Sequence, residues 1–488
     1  MYIKGMGIRS FLNSIFCACT LIALAGCSDD SSAGSNVDAS STESSSSISP
    51  EPLSNEGGTE SGISSSVAES AETANSSSLV ESSGLSSSSS KTLAESSAES
   101  IASSAPSSSG PSSSAPASSG TQSGTSSSTL PESAASVSLL DFDFYMGADI
   151  STVQEYERSK TKFYDVDGTA SDIFTVLKNH GFNTIRLKTF VDPKAKYGYA
   201  ASGCGHEAEA YADKDHIVAY AQKIKAAGMA FLLDIHYSDN WADPGKQIIP
   251  ERWRKVSSSD ALADSVYAYT LDLMNALKQV NAVPEMVQIG NETTPGILVH
   301  VPNNSTDCWG NGVDKASTAI NGDMGTASGK ANAAKYFKAG IRAVKEVSPS
   351  TKTVLHIERI RQANTVTWWM TEIFKNQKVP ADIMGFSAYT AYGDKAPDDW
   401  KSLFQTVTSN YPDLEFMVVE YNGGDSDNHY NYDGSRKHTN EMIKGMDRWI
   451  GTFFWEPTLS GAWGPALFDW KGNDLYANSK AFEEFPAK

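Results

Sequence analysis

Cysteine is scarce in this chain, which has five in 488 residues. Cys17, Cys19 and Cys27 lie in the first 27 residues, where they belong to a predicted processing signal. Only Cys204 and Cys308 remain in the rest of the chain, so at most one internal disulfide can form there. If the chain is exported to an oxidising compartment, a disulfide between them is expected, and two separate buried thiols are the alternative.

The apolar stretch near the N-terminus is too short for a membrane span. Phe11–Ala25 is mostly apolar and follows two basic residues, which predicts a signal peptide over residues 1–26. The end of this stretch and the two residues after it, Leu24-Ala25-Gly26-Cys27, look like a bacterial lipobox. This implies cleavage before Cys27 and lipidation of that cysteine. An ordinary secretory peptide with a stray cysteine is the alternative. The lipobox predicts an exported bacterial lipoprotein at the cell surface or outer membrane.

Residues 27–140 contain no aromatic side chain and a single lysine, and serine dominates their composition. Such a segment cannot bury enough apolar surface to offset the conformational entropy lost on ordering. We therefore predict a disordered Ser-rich linker that carries the lipid anchor, followed by one domain over residues 141–488.

Positive charge is also in deficit. The chain has 39 Lys and Arg against 58 Asp and Glu, for a formal net charge of −19, and the linker holds 13 of the acidic residues. This balance argues against nucleic acid or an anionic membrane surface as a partner. We expect membrane contact only through the N-terminal lipid, and we expect a monomer.

Residues 141–488 alternate between short β-prone apolar runs and helical patterns. The predicted strands are Tyr145–Asp149, Asn183–Lys188, Phe231–His236, Met286–Asn291, Thr353–Ile357, Ile383–Ser387, Phe416–Glu420 and Gly451–Trp455. The predicted helices are Asp172–His180, Lys214–Ala227, Asp260–Gln279, Ala331–Val347, Thr365–Asn376, Asp398–Ser409 and His438–Arg448, with Ala477–Phe485 as a candidate eighth. Eight alternations predict an α/β fold, a closed (β/α)8 TIM barrel, with a doubly wound open sheet as the alternative.

Every predicted strand ends in polar or aromatic residues that can carry chemistry. Two of these ends are glutamates, Glu292 just after the fourth strand and Glu420 at the end of the seventh. An unpaired carboxylate in a core would cost several kcal/mol, so each must reach a site or form a salt bridge at the barrel rim. Hydrolysis of a glycosidic bond uses such a pair, one to protonate the leaving oxygen and one to attack or to activate water.

Several stretches near these strand ends are distinctive. They are Gly147–Ser151, Asn183–Leu187, Asp234–Gln247 with its block His-Tyr-Ser-Asp-Asn-Trp-Ala-Asp-Pro-Gly, Val287–Glu292, Val418–Glu420, Phe454–Pro457 and Leu467–Asp469. In these stretches the chain resembles glycoside hydrolase family 53, the arabinogalactan endo-β-1,4-galactanases, within a clan of retaining (β/α)8 glycosidases. The resemblance covers residues 144–476.

The resemblance implies a retaining hydrolysis of β-1,4-galactosidic linkages in the (arabino)galactan side chains of plant cell-wall pectin. Glu292 would be the general acid/base and Glu420 the nucleophile, roles that need opposed pKa values in one pocket. Arg186 is expected to keep Glu420 ionised, with a rim salt bridge as the alternative. Asn291 looks like the clan's hydrogen-bond donor to the sugar 2-hydroxyl.

Aromatic residues are expected to supply the sugar-binding surfaces, because pyranose rings stack their C–H faces on indole and phenol rings. Trp455 should floor the subsite at the cleavage point, and Trp241 and Tyr389 should line more distant subsites. His236 lies in no His-x-His or His-Glu-x-x-His pattern, so we expect it to form hydrogen bonds in the substrate pocket rather than to ligate a metal.

One loop suggests a cation site. Asp425, Asp427, His429 and Asn431 alternate after the seventh strand, which would direct oxygen ligands to one side of an extended loop and suit a structural Ca²⁺. Bacterial members of the resembled family carry calcium in this loop. A solvated polar loop is the alternative.

Three segments near the pocket depart from the family pattern. They are His356-Ile357-Glu358-Arg359 after strand five, Ala388-Tyr389-Thr390 after strand six, and Tyr421-Asn422-Gly423 after Glu420. These departures leave the exact glycan open. A related glycanase acting on another β-1,4-glycan, such as mannan or xylan, is one alternative. A non-catalytic polysaccharide-binding surface lipoprotein is another, which the retention of both glutamates disfavours.

Overall fold

The computed structural model describes residues 139–205, 211–394, 396–423 and 434–485. The predicted signal peptide, the lipidation site Cys27 and nearly all of the predicted linker lie outside these ranges. So do Asp425, Asp427, His429 and Asn431 of the predicted calcium loop. Leu139 and Leu140, which the sequence analysis assigns to the linker, already contact the domain.

Eight parallel strands close into a barrel, as predicted. They are β1 (Tyr145–Asp149), β2 (Thr184–Thr189), β3 (Ala230–Ile235), β4 (Met286–Ile289), β5 (Lys352–Ile357), β6 (Ile383–Tyr389), β7 (Glu415–Asn422) and β8 (Trp449–Phe454). Each strand pairs with its sequence neighbours, and β1 pairs with β8 to close the ring. The open-sheet alternative is therefore wrong.

Helices follow each strand. They are α1 (Ile173–Asn179), α2 (Lys214–Ala226), α3 (Ser259–Gln279), α4 (Ala327–Val347), α5 (Ala363–Met370), α6 (Pro397–Asn410), α7 (Ser435–Lys444) and α8 (Ser479–Phe482). Side-chain caps explain several starts, because Asp172, Asp213, Ser258 and Thr326 each accept a hydrogen bond from a backbone N–H of the first turn. No helix of the described ranges is long and apolar enough to cross a membrane.

Some boundaries differ from the prediction. Helix α7 was expected over His438–Arg448 but spans Ser435–Lys444, because Gly445 follows it and Arg448 adopts a left-handed φ of 60°. Strand β4 ends at Ile289, two residues before the predicted Asn291, where Gly290 turns the chain with φ 86°.

Elements outside the barrel repeats were not predicted. A short helix, Val153–Arg158, follows β1, and a four-stranded sheet combines Phe163–Tyr164 and Ala170–Ser171 with Phe468–Lys471 and Asp474–Ala477. The long connection from β4 to α4 carries two further hairpin-like pairs, Gly296–Ile297 with Gly322–Asp323 and His300–Pro302 with Val313–Lys315.

The barrel interior divides into an apolar lower part and a polar upper part. Residues of the strands, among them Ala230, Met286 and Ile383 at strand starts, form one apolar cluster, against which Leu140 and Phe142 pack. The Leu140 N–H donates to Glu285 Oε1 at 2.9 Å, which ties the incoming chain to this end. Nearer the carboxyl ends of the strands the inward positions become polar, as in Arg186 and His356. Parallel strands bring these ends together at one mouth of the barrel.

Candidate active site

Arg186 is the central cation of the barrel mouth. It lies on β2 and its side chain is fully buried. Its Nη1 donates to Asp149 Oδ2 at 2.8 Å, and its Nη2 lies 2.9 Å from both Asp234 Oδ2 and Glu420 Oε1. Burial disfavours the charged guanidinium, but the carboxylates of Asp234, Glu420 and Asp149 more than offset this and raise the pKa of Arg186. The cation is therefore permanent and aimed at Glu420.

Glu420 receives hydrogen bonds on both carboxylate oxygens. Arg186 contacts Oε1, and the hydroxyl of Tyr389 donates to Oε2 at 3.0 Å. Burial raises the pKa of Glu420 to about 7, while Arg186 and the Tyr389 hydroxyl act in the opposite direction. Burial and the neighbouring Glu420 raise the pKa of Tyr389 well above its ordinary value, so its phenol remains a donor throughout the working pH range.

Glu292 is held by an unusual backbone turn at the end of β4. It adopts a left-handed φ of 46°, which costs a non-glycine residue roughly 1 kcal/mol or more. Its Oε1 lies 2.8 Å from the Ser387 hydroxyl oxygen. Burial raises the pKa of Glu292 well above its ordinary value, and the negative charges of Glu420 and Glu358 add to this effect. These effects favour the protonated form of the Glu292 carboxyl.

Asn291 is fixed in orientation beside Glu292. Its Oδ1 accepts from Arg186 Nη2 at 3.1 Å, and its Nδ2 donates to the Ala242 carbonyl at 2.9 Å. Because the guanidinium can only donate, the carboxamide cannot be reversed. Nδ2 carries a second hydrogen, which is the donor that a sugar hydroxyl at the mouth would use.

Aromatic side chains form one wall of the mouth. The rings of Trp455 and Trp241 meet edge to face with centroids 5.9 Å apart. Arg186 Cζ lies 5.9 Å from the Trp455 centroid, which places that indole directly beside the carboxylate cluster. Lys188 Nζ lies 4.2 Å from the Trp241 centroid. The Trp241 Nε1 is buried and has no hydrogen-bond partner among the described residues.

His236 already has protein partners on both ring nitrogens. Its Nδ1 accepts the Ala242 N–H at 3.0 Å, so the neutral ring carries its proton on Nε2, which donates to Asp234 Oδ2 at 3.0 Å. The ring thus orients Asp234 and the loop that carries Trp241. This is a positioning arrangement, and the hydrogen bond from His236 to substrate that the sequence suggested stays a prediction.

The structure joins Cys204 and Cys308 in a disulfide, with a Cα–Cα distance of 5.4 Å. The bond links the loop after β2 to the long connection after β4. The Cys308 carbonyl accepts from Asn240 Nδ2 at 3.0 Å, and Asn240 directly precedes Trp241. The disulfide therefore supports the loop that presents this tryptophan.

Several strand-end residues for which the sequence predicted no role prove central to the site. These are Asp149, Lys188, Asp234, His356, Glu358 and Ser387. Their position in the sequence could have indicated a place in the site, since each lies at or next to a predicted strand end. Their partners could not be derived, because those contacts join strands separated by 31 to 105 residues in sequence.

No group of three or more His, Cys, Asp or Glu side chains within the described ranges could hold a metal ion. The predicted calcium loop lies outside those ranges, so that site stays a prediction. What the described mouth does contain is two carboxyl groups in unequal settings, with Glu420 buried and Glu292 partly exposed. Glu420 is paired with a cation, whereas Glu292 faces a hydroxyl and other carboxyl groups.

Comparison with known proteins agrees with this arrangement. The family model described as glycosyl hydrolase family 53 matches residues 145–484. The chain is 28% identical over 335 residues to the arabinogalactan endo-beta-1,4-galactanase of Thermothelomyces thermophilus, covering 64% of this chain and 89% of that protein. It is also 28% identical over 345 residues to the endo-beta-1,4-galactanase of Bacillus subtilis strain 168, covering 66% of this chain and 71% of that protein.

Among solved structures, the Ignisphaera aggregans GH53 catalytic domain superposes with a TM-score of 0.56 at 28% identity. The match covers 71% of this chain and 96% of that domain. Members of this family are glycoside hydrolases, and the family match spans the whole barrel with both glutamates. The chain therefore belongs to glycosyl hydrolase family 53.

Proposed function

We propose that this chain is a retaining endo-β-1,4-galactanase that cleaves the (arabino)galactan side chains of pectin. Glu292 acts as general acid/base and Glu420 as nucleophile. The observation that carries this assignment is the unequal setting of the two carboxyls. Arg186 and Tyr389 favour the ionised form of Glu420, whereas burial and the nearby carboxylates favour the protonated form of Glu292.

In the first step the Glu420 carboxylate attacks the anomeric carbon while Glu292 transfers its proton to the leaving oxygen. The C1–O4 bond breaks and a covalent galactosyl–Glu420 ester forms. In the second step Glu292, now a carboxylate, removes a proton from water, and the resulting hydroxide equivalent attacks C1 and releases Glu420. Two inversions give net retention, and Glu292 ends protonated again.

The protein groups around the nucleophile assist both steps. Arg186 and the Tyr389 hydroxyl bind the Glu420 carboxylate when it is free and so stabilise it as the leaving group of the second step. The second Nδ2 hydrogen of Asn291 is the donor for the sugar 2-hydroxyl. Trp455 supplies the apolar face beneath the sugar at the cleavage point, and Trp241 supplies the next one.

Support for galactan as the substrate comes from the two relatives described above, both of which are named as galactanases. A related activity on another β-1,4-glycan is the second candidate, because Glu358 and Arg359 stand beside the pocket where the family pattern expects glycine. A non-catalytic binding role would give no reason for two neighbouring carboxyls of which only Glu420 is paired with a cation.

For the intact protein we propose an exported lipoprotein, anchored through Cys27 at the cell surface or outer membrane and acting as a monomer on plant cell-wall galactan. The Ser-rich linker would let the barrel reach polymer beyond its own membrane. We also propose that the loop with Asp425, Asp427, His429 and Asn431 binds a structural Ca²⁺. The lipobox and the spacing of oxygen ligands are what support these two proposals.

The deciding experiment measures reducing-end release from potato galactan by the mature chain, with Glu292→Gln and Glu420→Gln as matched isosteric controls. We expect cleavage by the native chain alone, with retention of configuration in the first product. Cleavage of mannan or xylan without cleavage of galactan would replace the proposed substrate. Binding of galactan by all three proteins without cleavage would establish a binding protein instead.

A further inference from the structure

The acid/base Glu292 is connected to Arg186 through a chain of side chains whose hydrogen-bond direction can be derived step by step. The links are Asn291, His356 on β5 and Ser387 on β6. All three side chains are buried, with 5% or less of their surface exposed. The direction matters because it determines whether Ser387 donates to Glu292 or accepts from it.

The orientation of the Asn291 carboxamide is fixed by its hydrogen-bond partners. Arg186 can only donate, so the Asn291 atom 3.1 Å from its Nη2 is the carbonyl oxygen Oδ1, as the contact from Nδ2 to the Ala242 carbonyl requires as well. That same oxygen lies 2.9 Å from His356 Nδ1. An oxygen acceptor at this distance requires a proton on Nδ1.

The position of the proton on the His356 ring follows from this contact. Burial lowers the pKa of this imidazole well below its ordinary value, and the positive charge of Arg186 acts in the same direction. The ring is therefore neutral and carries one proton, which the contact with Asn291 Oδ1 places on Nδ1. Its Nε2 is then an acceptor, and within the described ranges its only hydrogen-bond partner is the Ser387 hydroxyl at 2.8 Å.

Two other donors approach His356 Nδ1 but are weaker candidates. Gln288 Nε2 lies 3.2 Å away and the Glu292 backbone N–H lies 3.4 Å away, both farther than the Asn291 oxygen. Gln288 Nε2 has a nearer acceptor in Asp234 Oδ1 at 2.6 Å. Both donors would need a lone pair on Nδ1, but the shorter contact with the Asn291 oxygen assigns the proton to Nδ1.

The hydrogen bond between Ser387 and Glu292 takes its proton from Glu292. The single hydroxyl proton of Ser387 is committed to His356 Nε2, so the 2.8 Å contact between Ser387 Oγ and Glu292 Oε1 needs its proton from Glu292. We propose that Ser387 and His356 form a hydrogen-bond chain of fixed direction that keeps the carboxyl proton on Glu292. They are positioning residues, because they act on the sugar only through Glu292.

This proposal rests on the proposed function, since it explains how the general acid stays protonated before substrate binds. It also links the two carboxyls through one cation. Arg186 favours the ionised form of Glu420 by direct contact, and through Asn291 it orients the chain that favours the protonated form of Glu292. The charged groups facing Glu292 are the carboxyls of Glu420, Glu358 and Asp243, which act in the same direction.

The direction can be measured without any substrate. In ¹⁵N-histidine-labelled native protein we expect His356 to be a neutral ring protonated on Nδ1. In protein labelled at the glutamate carboxyl carbon, the Glu292 signal is assigned by its loss in Glu292→Gln. We expect Ser387→Ala to lower the pKa of this carboxyl by about one unit, because the protonated form loses its acceptor.

The matched control is Ser238→Ala, another serine with 1% exposure, whose hydroxyl accepts from the Asn240 N–H. It should leave the Glu292 titration unchanged. A proton on His356 Nε2 in the native protein, or an unchanged or raised Glu292 pKa in Ser387→Ala, would overturn the proposal, because a donating Ser387 predicts the opposite sign. If Ser387→Ala does not fold, the His356 tautomer in the native protein still decides whether the proposed hydrogen-bond direction is correct.

Galactan turnover measured in parallel separates the two proposals. Full activity of Glu292→Gln would overturn the catalytic assignment while leaving the hydrogen-bond direction to the spectra. If both proposals hold, the alkaline limb of kcat/KM on galactan should move down with Ser387→Ala. On a dinitrophenyl β-galactobioside, whose leaving group needs no proton, kcat/KM should be little changed.

Discussion

Ser387 and Tyr389 are two residues apart on β6, and each places its hydroxyl against a different carboxyl group of the active site. Ser387 Oγ lies 2.8 Å from Glu292 Oε1, and the Tyr389 hydroxyl lies 3.0 Å from Glu420 Oε2. Alternate residues of a strand face the same side, so one strand spaces both groups. A single Ser-x-Tyr segment thus contacts the acid/base and the nucleophile together.

The roles of the two glutamates can be separated by rescue with azide. We expect Glu420→Ala to give an inverted glycosyl azide, because a small anion replaces the missing nucleophile in one displacement. Glu292→Ala on an activated aryl galactobioside should give the retained azide, since the covalent intermediate still forms. Product stereochemistry is read by NMR. Retained azide from Glu420→Ala, with inverted azide from Glu292→Ala, would exchange the two assignments.

The acid limb of activity should depend on the Tyr389 hydroxyl. Catalysis requires ionised Glu420, whose pKa burial raises to about 7, so kcat/KM should fall as pH drops through this range. The Tyr389 hydroxyl stabilises the ionised form, so Tyr389→Phe should raise that pKa and shift the acid limb upward by about one unit.

Tyr421→Phe is the control for this shift. Tyr421 is also buried and lies next to Glu420 in sequence, but its hydroxyl bonds to Asn440. It should lose some stability, because a buried hydrogen bond is removed, without a change in the acid limb. Equal shifts in both variants would show that general packing, rather than the Tyr389 hydroxyl, controls Glu420.

The sequence allowed the barrel and both glutamates to be predicted because these follow from local patterns. Apolar runs such as Phe416–Val419 indicate strands on their own, and Glu420 stands where the run ends. The hydrogen-bond network could not be derived this way. Asn291 and His356 are 65 residues apart, and which of their atoms meet depends on strand register and on the left-handed turn at Glu292. The accessory strands were missed because two-residue pairs such as Phe163–Tyr164 carry no periodic signal.

The linker should be dispensable up to the point where the chain enters the barrel. Deleting residues 28–135 should leave activity on soluble galactan and the melting temperature unchanged, because a Ser-rich segment without aromatics has little to bury. Deleting residues 28–144 should lower the melting temperature, because it removes Leu140 and Phe142 from the apolar cluster and the Leu140 N–H from Glu285.

A substitution tests the same boundary without truncation. The double variant Leu140→Ala with Phe142→Ala should lower the free energy of unfolding by about 2 kcal/mol, as two half-buried apolar side chains are removed. Thermal unfolding of these proteins decides between the predictions. A large drop in melting temperature for the 28–135 deletion would show that the linker docks on the barrel.

The proposed calcium should stabilise the native state by mass action. At a free concentration a hundredfold above Kd, the gain is about 2.7 kcal/mol, so chelation should lower the melting temperature. Asp427→Ala should remove this response, while Asp447→Ala, an exposed acidic residue on another loop, should retain it. Absence of metal by elemental analysis, with a melting temperature unaffected by chelator, would favour the solvated polar loop.

The disulfide should contribute both to stability and to substrate affinity. Cys204 and Cys308 are 104 residues apart in sequence, and closing a loop of that size typically contributes about 2–5 kcal/mol. The double variant Cys204→Ser with Cys308→Ser should therefore unfold at a lower temperature. Reductant should lower the melting temperature of the native protein but not that of the variant.

The effect on affinity follows from the aromatic residues beside the disulfide. Tyr199 contacts both Trp241 and Trp309, with ring centroids 6.0 and 6.1 Å away, and Trp309 directly follows Cys308. Freeing this loop should raise KM for galactan severalfold at a temperature where the variant is fully folded. Because the contacts of Glu292 and Glu420 do not involve the loop, kcat should change little. A large loss of kcat with unchanged KM would instead show that the disulfide supports the catalytic carboxyls rather than the sugar-binding wall.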